Sequence, residues 1–335
     1  MKILHLLASP AYTGPAEAVT QLALAQRKLG HEVTVAVDRL RAQPTSEEPI
    51  VPRLEALGLL DGRGLELSVK SRPWTMAADV LKLRRSGVDV IHSHFSHDHT
   101  LARLGTPSKA TLIRSIHAPR SLRWTMPEAR GFTVPMDELA RKLLGKRVLI
   151  LPAFVDEAFV PASDRTALRQ SLSLPAEGRL IGMVSTFQPT RHHAVGLEAF
   201  KEVHERNPSA HLVLIGDGEL EAQLRAQAQP LGNAVRFAGY QSGAAFTNHL
   251  QVLDEVWILG LGNDWSARAA AQARACGVRV VAVDEGALGR YADVVTELEP
   301  GHLAKASESD GRKSMSIESA NSIAKRVLQF YAWGG

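Results

Sequence analysis

The sequence holds a single cysteine, Cys276, in 335 residues. One thiol cannot make an intramolecular disulfide or a multi-thiolate zinc site, and it suits a reducing, cytoplasmic setting. Long apolar runs are also missing, since nothing approaches the ~18 continuous apolar residues of a membrane span. The opening MKILHLLA imitates the start of a secretory leader, but its apolar stretch is very short and passes into the polar SPAYTGPAE. Nor is there a strong excess of one charge. With 39 Lys+Arg against 35 Asp+Glu the formal charge is +4, too mild for a nucleic-acid binder but compatible with anionic substrates or an anionic membrane surface. No fixed-period repeat or low-complexity tract interrupts the chain, and nothing in it bears on oligomeric state.

What is present is ordinary globular material, 45% hydrophobic and 22% charged, enough for real cores. The length is roughly twice the ~150 residues of a single domain, so two domains sharing a cleft are expected. Residues 2–8 form an apolar run, followed by the loop SPAYTGP and a helical pattern from Ala16 to Leu29, with Pro15 at its start and Gly30 at its stop. HEVTVAVD, VDVIHSH, ATLIRSIH, GFTVP and RVLILP read as further strands, with helices near 76–85 and 136–144. Strands separated by helices of this length predict an α/β fold, a parallel sheet covered on both faces. Residues 154–178 lose strand character and carry the turn formers of a domain link. The alternation then restarts with RLIGMVST and runs to a terminal helix, SIESANSIAKRVLQFYA. Its stripe of Ile323, Val327, Leu328 and Tyr331 at helical spacing predicts a packing face, and Cys276, between a small-residue helix and a buried strand, reads as core filler.

Doubly wound sheets bind ligands outside the carboxyl ends of their strands, so the strand-end loops carry the chemistry. In the first, residues 9–14, Gly14 before a helix lets backbone N–H groups approach an anion, or serves only as a turn former. A second cluster, IHSHFSHDH, holds His92, His94, His97 and His99 with Asp98. Histidines two apart on a strand share a face, which raises a metal site. The spacing does not match the His-x-His-x-Asp-His run of metallo-hydrolases, and cleft-lining or helix-capping roles stand beside it. His117 is either a satisfied strand-end histidine or a substrate contact.

Four segments arrive in an order that resembles glycosyltransferase family 4, enzymes of the GT-B fold. The opening 38 residues look like that family's first strand, glycine loop and helix. ILPAFVDEAFVP is similar to its interdomain signature. LVLIGDGELEAQLRAQAQPLGNAVRFAGY and ARACGVRVVAVDEGALGRY resemble its Gly-Asp-Gly strand end and its closing glycine loop. The likeness runs from residue 1 to about residue 330, and implies two Rossmann-like domains facing across a cleft. The boundaries expected are 1–155 for the acceptor-side domain, 156–315 for the donor-side domain, and a helix at about 316–333 packing back on the first.

The resemblance implies a hexosyltransferase that moves a sugar from a nucleotide-diphosphate sugar to a glycan, lipid-linked or small-molecule acceptor, with retention and without a metal or other cofactor. In such enzymes an Arg and a Lys after the first strand of the second domain stabilise the departing diphosphate, and two glutamates hold sugar and ribose. Here Thr186 stands at the Arg position and Arg191 at the Lys position, while Asp264 and Gln272 replace the glutamates with the spacing intact. Asp264 keeps the charge on a shorter arm, and Gln272 offers a ribose only a neutral amide. Pro15 after Gly14 removes one N–H donor. The catalytic residues implied are Arg191, Asp264 and His117. The donor would further meet Gly14, Thr186, Gly218, Gly239, Tyr240, Ser266, Ala267, Arg268 and Gln272, with Arg268 placed to supply the lost cation. Arg120, Arg123 and Trp124 either touch a lipid-linked acceptor or a peripheral membrane face at the inner side of the membrane, or belong to a solvated loop. Two other readings stay open: a non-catalytic homologue that binds nucleotide or a protein partner, and a metal hydrolase built on the histidines.

Overall fold

The computed structural model describes residues 1–41, 48–68, 70–122, 128–261 and 266–332. Asp264, Arg123 and Trp124 lie outside the described residues. The chain divides into two compact units, Met1–Phe154 with Glu318–Gly335, and Val155–Ile317.

In the first unit the order is β1 (Lys2–Leu7), α1 (Gly14–Lys28), β2 (Glu32–Val37), α2 (Ile50–Ala56), α3 (Pro73–Arg84), β3 (Val90–Ser93), α4 (Ser96–Gly105), β4 (Thr111–Ser115), β5 (Gly131–Val134), α5 (Asp137–Arg141) and β6 (Val148–Ile150). All six strands pair in parallel in the order β2-β1-β3-β4-β5-β6. Both faces of such a sheet must be covered, which explains why β1 and β2 are mostly apolar. One face carries Ile3, Val33, Val90 and Ile113 against Ala16, Val19 and Ala23 of α1. The opposite face packs Leu4, Leu6, Ile91 and Leu112 against Leu83 of α3 and Leu101 of α4.

The second unit runs through α6 (Arg165–Ser171), β8 (Leu180–Val184), α7 (His193–Arg206), β9 (His211–Ile215), α8 (Glu221–Ala228), β10 (Val235–Gly239), α9 (Gly243–Gln251), β11 (Glu255–Ile258), α10 (Arg268–Ala275), β12 (Arg279–Val283), α11 (Leu288–Tyr291), β13 (Val294–Thr296) and α12 (Pro300–Glu308). Its sheet is parallel, in the order β10-β9-β8-β11-β12-β13. Numbered from its own first strand, this is the 3-2-1-4-5-6 order of a dinucleotide-binding fold. Helix α7 lies close on β8 at Gly196, where a Cβ would collide with the Met183 thioether.

Two short strands, β7 (Phe154–Val155) and β14 (Glu318–Ser319), form a ladder of their own. The terminal helix α13 (Ala320–Ala332) belongs to the first unit. Its apolar stripe, Ile323, Ala324, Val327, Phe330 and Tyr331, joins the α1 face of the core, with Leu328 partly buried beside it. Phe330 fills the space left by the missing side chain of Gly131 on β5.

The segment 154–178 departs from the expectation of a strandless link. It contains β7 and also α6, whose start is fixed by the Asp164 carboxylate accepting from the Ala167 N–H at 2.9 Å. A two-residue strand leaves too short a pattern to see, and α6 shows only Arg169 buried, so neither had an apolar period to announce it. Among the described residues no helix is long and apolar enough to cross a membrane.

Candidate active site

In the second unit the strand order reverses between β8 and β11, and the loops leaving their carboxyl ends line the crevice where such sheets hold ligands. The loop after β8 carries Thr186, partly exposed, then a single helical turn, Pro189–Arg191, closed by His192 in the left-handed region at φ 52°. Its carbonyl at Thr190 accepts from the Leu261 N–H at 3.0 Å, which ties this loop to the one after β11. Arg191 reaches across at that point. A Cβ built on Gly260 would lie 2.6 Å from its Nη1, so the guanidinium occupies the space over Gly260. Its Nε is buried with no hydrogen-bond partner among the described residues.

His193, the first residue of α7, sits beside Arg191 with Nε2 3.2 Å from the Ser185 hydroxyl and its ring edge-on to Phe187. Burial first, then the positive charge of Arg191, lowers its pKa to about 4, so the imidazole is neutral. Sequence reasoning gave no role to His193, although it stands two residues after Arg191 in the segment matched to the family, or to Gly260. The one signal was a glycine following β11.

The Gly-Asp-Gly turn after β9 has a packing duty. Gly218 stands at φ +150°, where a Cβ would come within 2.7–3.0 Å of the Phe187 backbone, and Gly216 at φ +146° faces the Ser185 carbonyl more closely still. Backbone bonds from Phe187 N–H to Asp217 O (2.6 Å) and Leu220 N–H to Phe187 O (3.1 Å) seal the contact. These glycines let two strand-end loops pack. Gly239, the last residue of β10 at φ +71°, has open space where a Cβ would go, and Tyr240 next to it is exposed. Ala267 takes the left-handed conformation at φ 51° and starts α10, so Arg268 is the first helical residue and Gln272 lies one turn further on the same face. Both side chains are buried, at 8% and 2% exposure, and Ser266 is partly exposed just before them. Thr186, Arg191, Gly218, Tyr240, Ser266 and Ala267 thus lie in strand-end loops of this unit, Gly239 closes β10, and Arg268 and Gln272 lie in the first turns of α10.

In the first unit the reversal falls between β1 and β3. Gly14 does not lie in the loop before α1. It is the first residue of α1, with Thr13 at the cap and Pro15 behind it. Its backbone is not left-handed and a Cβ would meet nothing within 4 Å, so the space above it is open.

The histidines gather differently from their spacing. His92 pairs in register with His5 on the neighbouring strand, and His5, His92 and His94 bring ring nitrogens within 4.8 Å of one another, all buried. His97 and His99 are not part of this group, because they fall on α4, where helical periodicity separates them from the strand; His99 Nδ1 instead bonds the Ser93 hydroxyl at 2.8 Å. Asp98 is a capping residue, its carboxylate accepting from the N–H groups of Phe95 and Ala8. The only foretaste of His5 was a polar residue inside an apolar strand.

The three-histidine group does not suit a metal. His5 Nε2 meets the Gln26 amide oxygen at 2.9 Å and Nδ1 meets His94 Nε2 at 3.0 Å. His92 is engaged on both nitrogens, by the Tyr331 hydroxyl at 2.6 Å and the Ser115 hydroxyl at 2.8 Å. The rings of His92 and His94 stack at 4.4 Å and 28°. Burial lowers the pKa of His5 to about 4, and those of His92 and His94 well below the usual value, so the group is a neutral hydrogen-bonded array. His117 stacks on His94 at 5.8 Å, is partly exposed, and is also held neutral, its pKa lowered to about 4 by burial and then by Arg114.

Known proteins agree with this architecture. Residues 12–158 match the profile described as Glycosyltransferase Family 4, and residues 164–320 match Glycosyl transferases group 1. The phosphatidyl-myo-inositol mannosyltransferase of Mycobacterium tuberculosis is 25% identical over 316 residues, covering 87% of this chain and 79% of that protein. A GDP-mannose-dependent monoacylated alpha-(1-6)-phosphatidylinositol monomannoside mannosyltransferase of Corynebacterium glutamicum is 27% identical over 187 residues, 53% of this chain and 48% of that protein. Among solved structures, Anabaena HepE in complex with UDP and glucose superposes with a TM-score of 0.77 at 17% identity, over 99% of this chain and 100% of that one. A glycosyltransferase from Rickettsia africae does so at 0.75 and 14% identity, over 98% and 97%. With a family profile on each half and two parallel Rossmann-like sheets, the chain is a glycosyltransferase of the family 4 type with the GT-B fold.

Proposed function

We propose that the chain transfers a hexose from a nucleoside-diphosphate sugar to a glycan or lipid-linked acceptor, with retention of anomeric configuration and without a bound metal. The observation that carries this reading is Arg191, whose guanidinium is held over Gly260 at the strand-order reversal of the second unit. A leaving diphosphate gains negative charge as the glycosidic bond breaks, and a fixed cation aimed at it lowers the barrier. Thr186 can add a hydroxyl hydrogen bond where relatives by the motif pattern have a second cation. Gln272 and Arg268 present one face of α10 to the ribose and diphosphate side, and Asp264 orients the sugar. On the first unit the open space over Gly14 admits a phosphate, and neutral His117 contacts the transferred sugar as a hydrogen-bonding partner.

The donor to try first is GDP-mannose, because the Corynebacterium glutamicum relative is named for it, with UDP-glucose beside it, since HepE has been solved with UDP and glucose. Binding to the native state raises stability by RT ln(1 + [L]/Kd), about 2.7 kcal/mol at a hundredfold excess. A thermal-shift panel of nucleoside diphosphates and their sugars should therefore show one base clearly ahead, followed by slow release of its sugar. Nuclear magnetic resonance of the product reports the anomer, and turnover in the presence of EDTA reports metal dependence. No shift with any nucleotide, or turnover unaffected by Arg191→Ala, would sink the reading.

A further inference from the structure

His117 ends a row of polar side chains that begins deep in the first unit. Gln26, fully buried on α1, turns its amide nitrogen to the Tyr331 hydroxyl at 3.4 Å and its oxygen to His5 Nε2 at 2.9 Å. An amide oxygen only accepts, so His5 carries its proton on Nε2 and leaves a lone pair on Nδ1. That lone pair meets His94 Nε2 at 3.0 Å, which places the His94 proton on Nε2 as well. Burial keeps both rings neutral, so each has a single ring proton to place. His94 Nδ1 is therefore a second lone pair, enclosed and without a hydrogen-bond partner among the described residues.

Beyond it stands His117. The ring centroids of His94 and His117 are 5.8 Å apart with planes inclined by 27°, against 5.3 Å and 25° for the hydrogen-bonded rings of His5 and His94. The second pair thus resembles the first, opened by half an ångström. His117 Nε2 is also enclosed and also lacks a partner among the described residues. Two enclosed nitrogens on neighbouring rings satisfy each other only if one of them carries a proton, and His94 has none at Nδ1. The proton falls to His117 Nε2. The positive charge of Arg114 acts on both rings and opposes a second proton on either. His117 is partly exposed, and Nδ1 is not among its enclosed atoms.

We infer that His94 is a positioning residue for His117: backed by Gln26 and His5, its Nδ1 takes the Nε2–H of His117 and leaves His117 Nδ1 as a lone pair for a hydroxyl of the transferred sugar. This rests on the transfer reading proposed above and sharpens it, since a lone pair selects an O–H donor and rejects a carbonyl or phosphate oxygen.

The test reads the ring protons directly. In the whole chain carrying isotope-labelled histidine, long-range proton–nitrogen correlation spectra near neutral pH tell the two tautomers apart. Loss of signals in His5→Gln, His94→Phe and His117→Gln assigns them. His5, His94 and His117 are all expected to be protonated on Nε2 in the free protein. A proton on Nδ1 of His94 or of His117 overturns the proposal, and this reading of the parent protein holds even if His94→Phe does not fold. In folded His94→Phe, which keeps a ring and removes the lone pair, His117 should mix both tautomers; an unchanged His117 signal also overturns it. With the natural donor, kcat/KM of His94→Phe should fall about three- to tenfold, the range of one neutral hydrogen bond. With the deoxy-sugar donor that lacks the contacted hydroxyl, parent and variant should turn over alike. An equal loss on every deoxy donor would make His94 merely structural. The spectra need no donor, so Nε2 protons on His94 and His117 in a chain that transfers no sugar would fail the transfer reading and leave the proton order of the row standing.

Discussion

The guanidinium of Arg191 and the backbone of Gly260 share one space, with Nη1 2.6 Å from where a Cβ would stand. Because the clash involves the far end of a flexible side chain, Gly260→Ala should cost little stability while pushing the cation out of position. We expect a normal melting temperature and a fall in kcat of about tenfold or more, at ~1.4 kcal/mol per decade. Arg191→Ala should lose about a hundredfold to a thousandfold, as expected for one preorganised donor, with Arg191→Lys between the two. If Gly260→Ala proves as active as the parent, the position of Arg191 over that glycine has no bearing on turnover.

Gly218 and Gly239 are predicted to respond differently to alanine. At Gly218 the new Cβ meets the Phe187 backbone at 2.7–3.0 Å, in a region at φ +150° that side chains avoid. The loss should reach about 2 kcal/mol or more in urea unfolding. Gly239 at φ +71° has open space, so only the left-handed penalty of about 1 kcal/mol applies. Equal losses at the two sites would contradict the packing role given to Gly218.

The histidine array makes stability depend on pH with a definite sign. His5 and His117 have folded pKa values lowered to about 4 by burial, against 6.5 as the ordinary value. The unfolded chain therefore takes up protons first as pH falls, so stability is full above about pH 6.5 and is lost progressively down to about 4. Urea midpoints measured across that window should fall with acidity. His5→Gln should show a shallower slope, and an unchanged slope would remove His5 from the account.

Cys276 is buried and its thiol is pushed up to about 12, by burial and then by Asp156. It should resist iodoacetamide at neutral pH in the native state and react once the protein is unfolded. Rapid labelling of native protein would show that the residue is reachable.

Much of the architecture was legible because parallel sheets bury both faces and write themselves as apolar runs. HLVLI and RVVAV read as strands for that reason, and the Ile323, Val327 and Tyr331 stripe announced a packed helix. What stayed hidden depended on neighbours far away in sequence. His5 joins His92 only through strand register, and no spacing along the chain relates them. Gly218 was assigned to a donor from a motif, and the close approach of the Phe187 backbone to it, a packing demand beside that assignment, was not legible along the chain. Helix α4 was missed because its polar start, SHDH, looked like a cluster of ligands, when Asp98 there is a cap.

Placing α13 in the first unit has a consequence for the order in which the chain is finished as it is made. The residues that complete that unit's core, Ile323, Val327, Phe330 and Tyr331, are translated after the whole of Val155–Ile317. The Tyr331 hydroxyl that caps His92 is separated from it by 239 positions. During synthesis the second unit, which is one continuous stretch, can close first. The unit begun earliest must wait for the final helix to leave the ribosome.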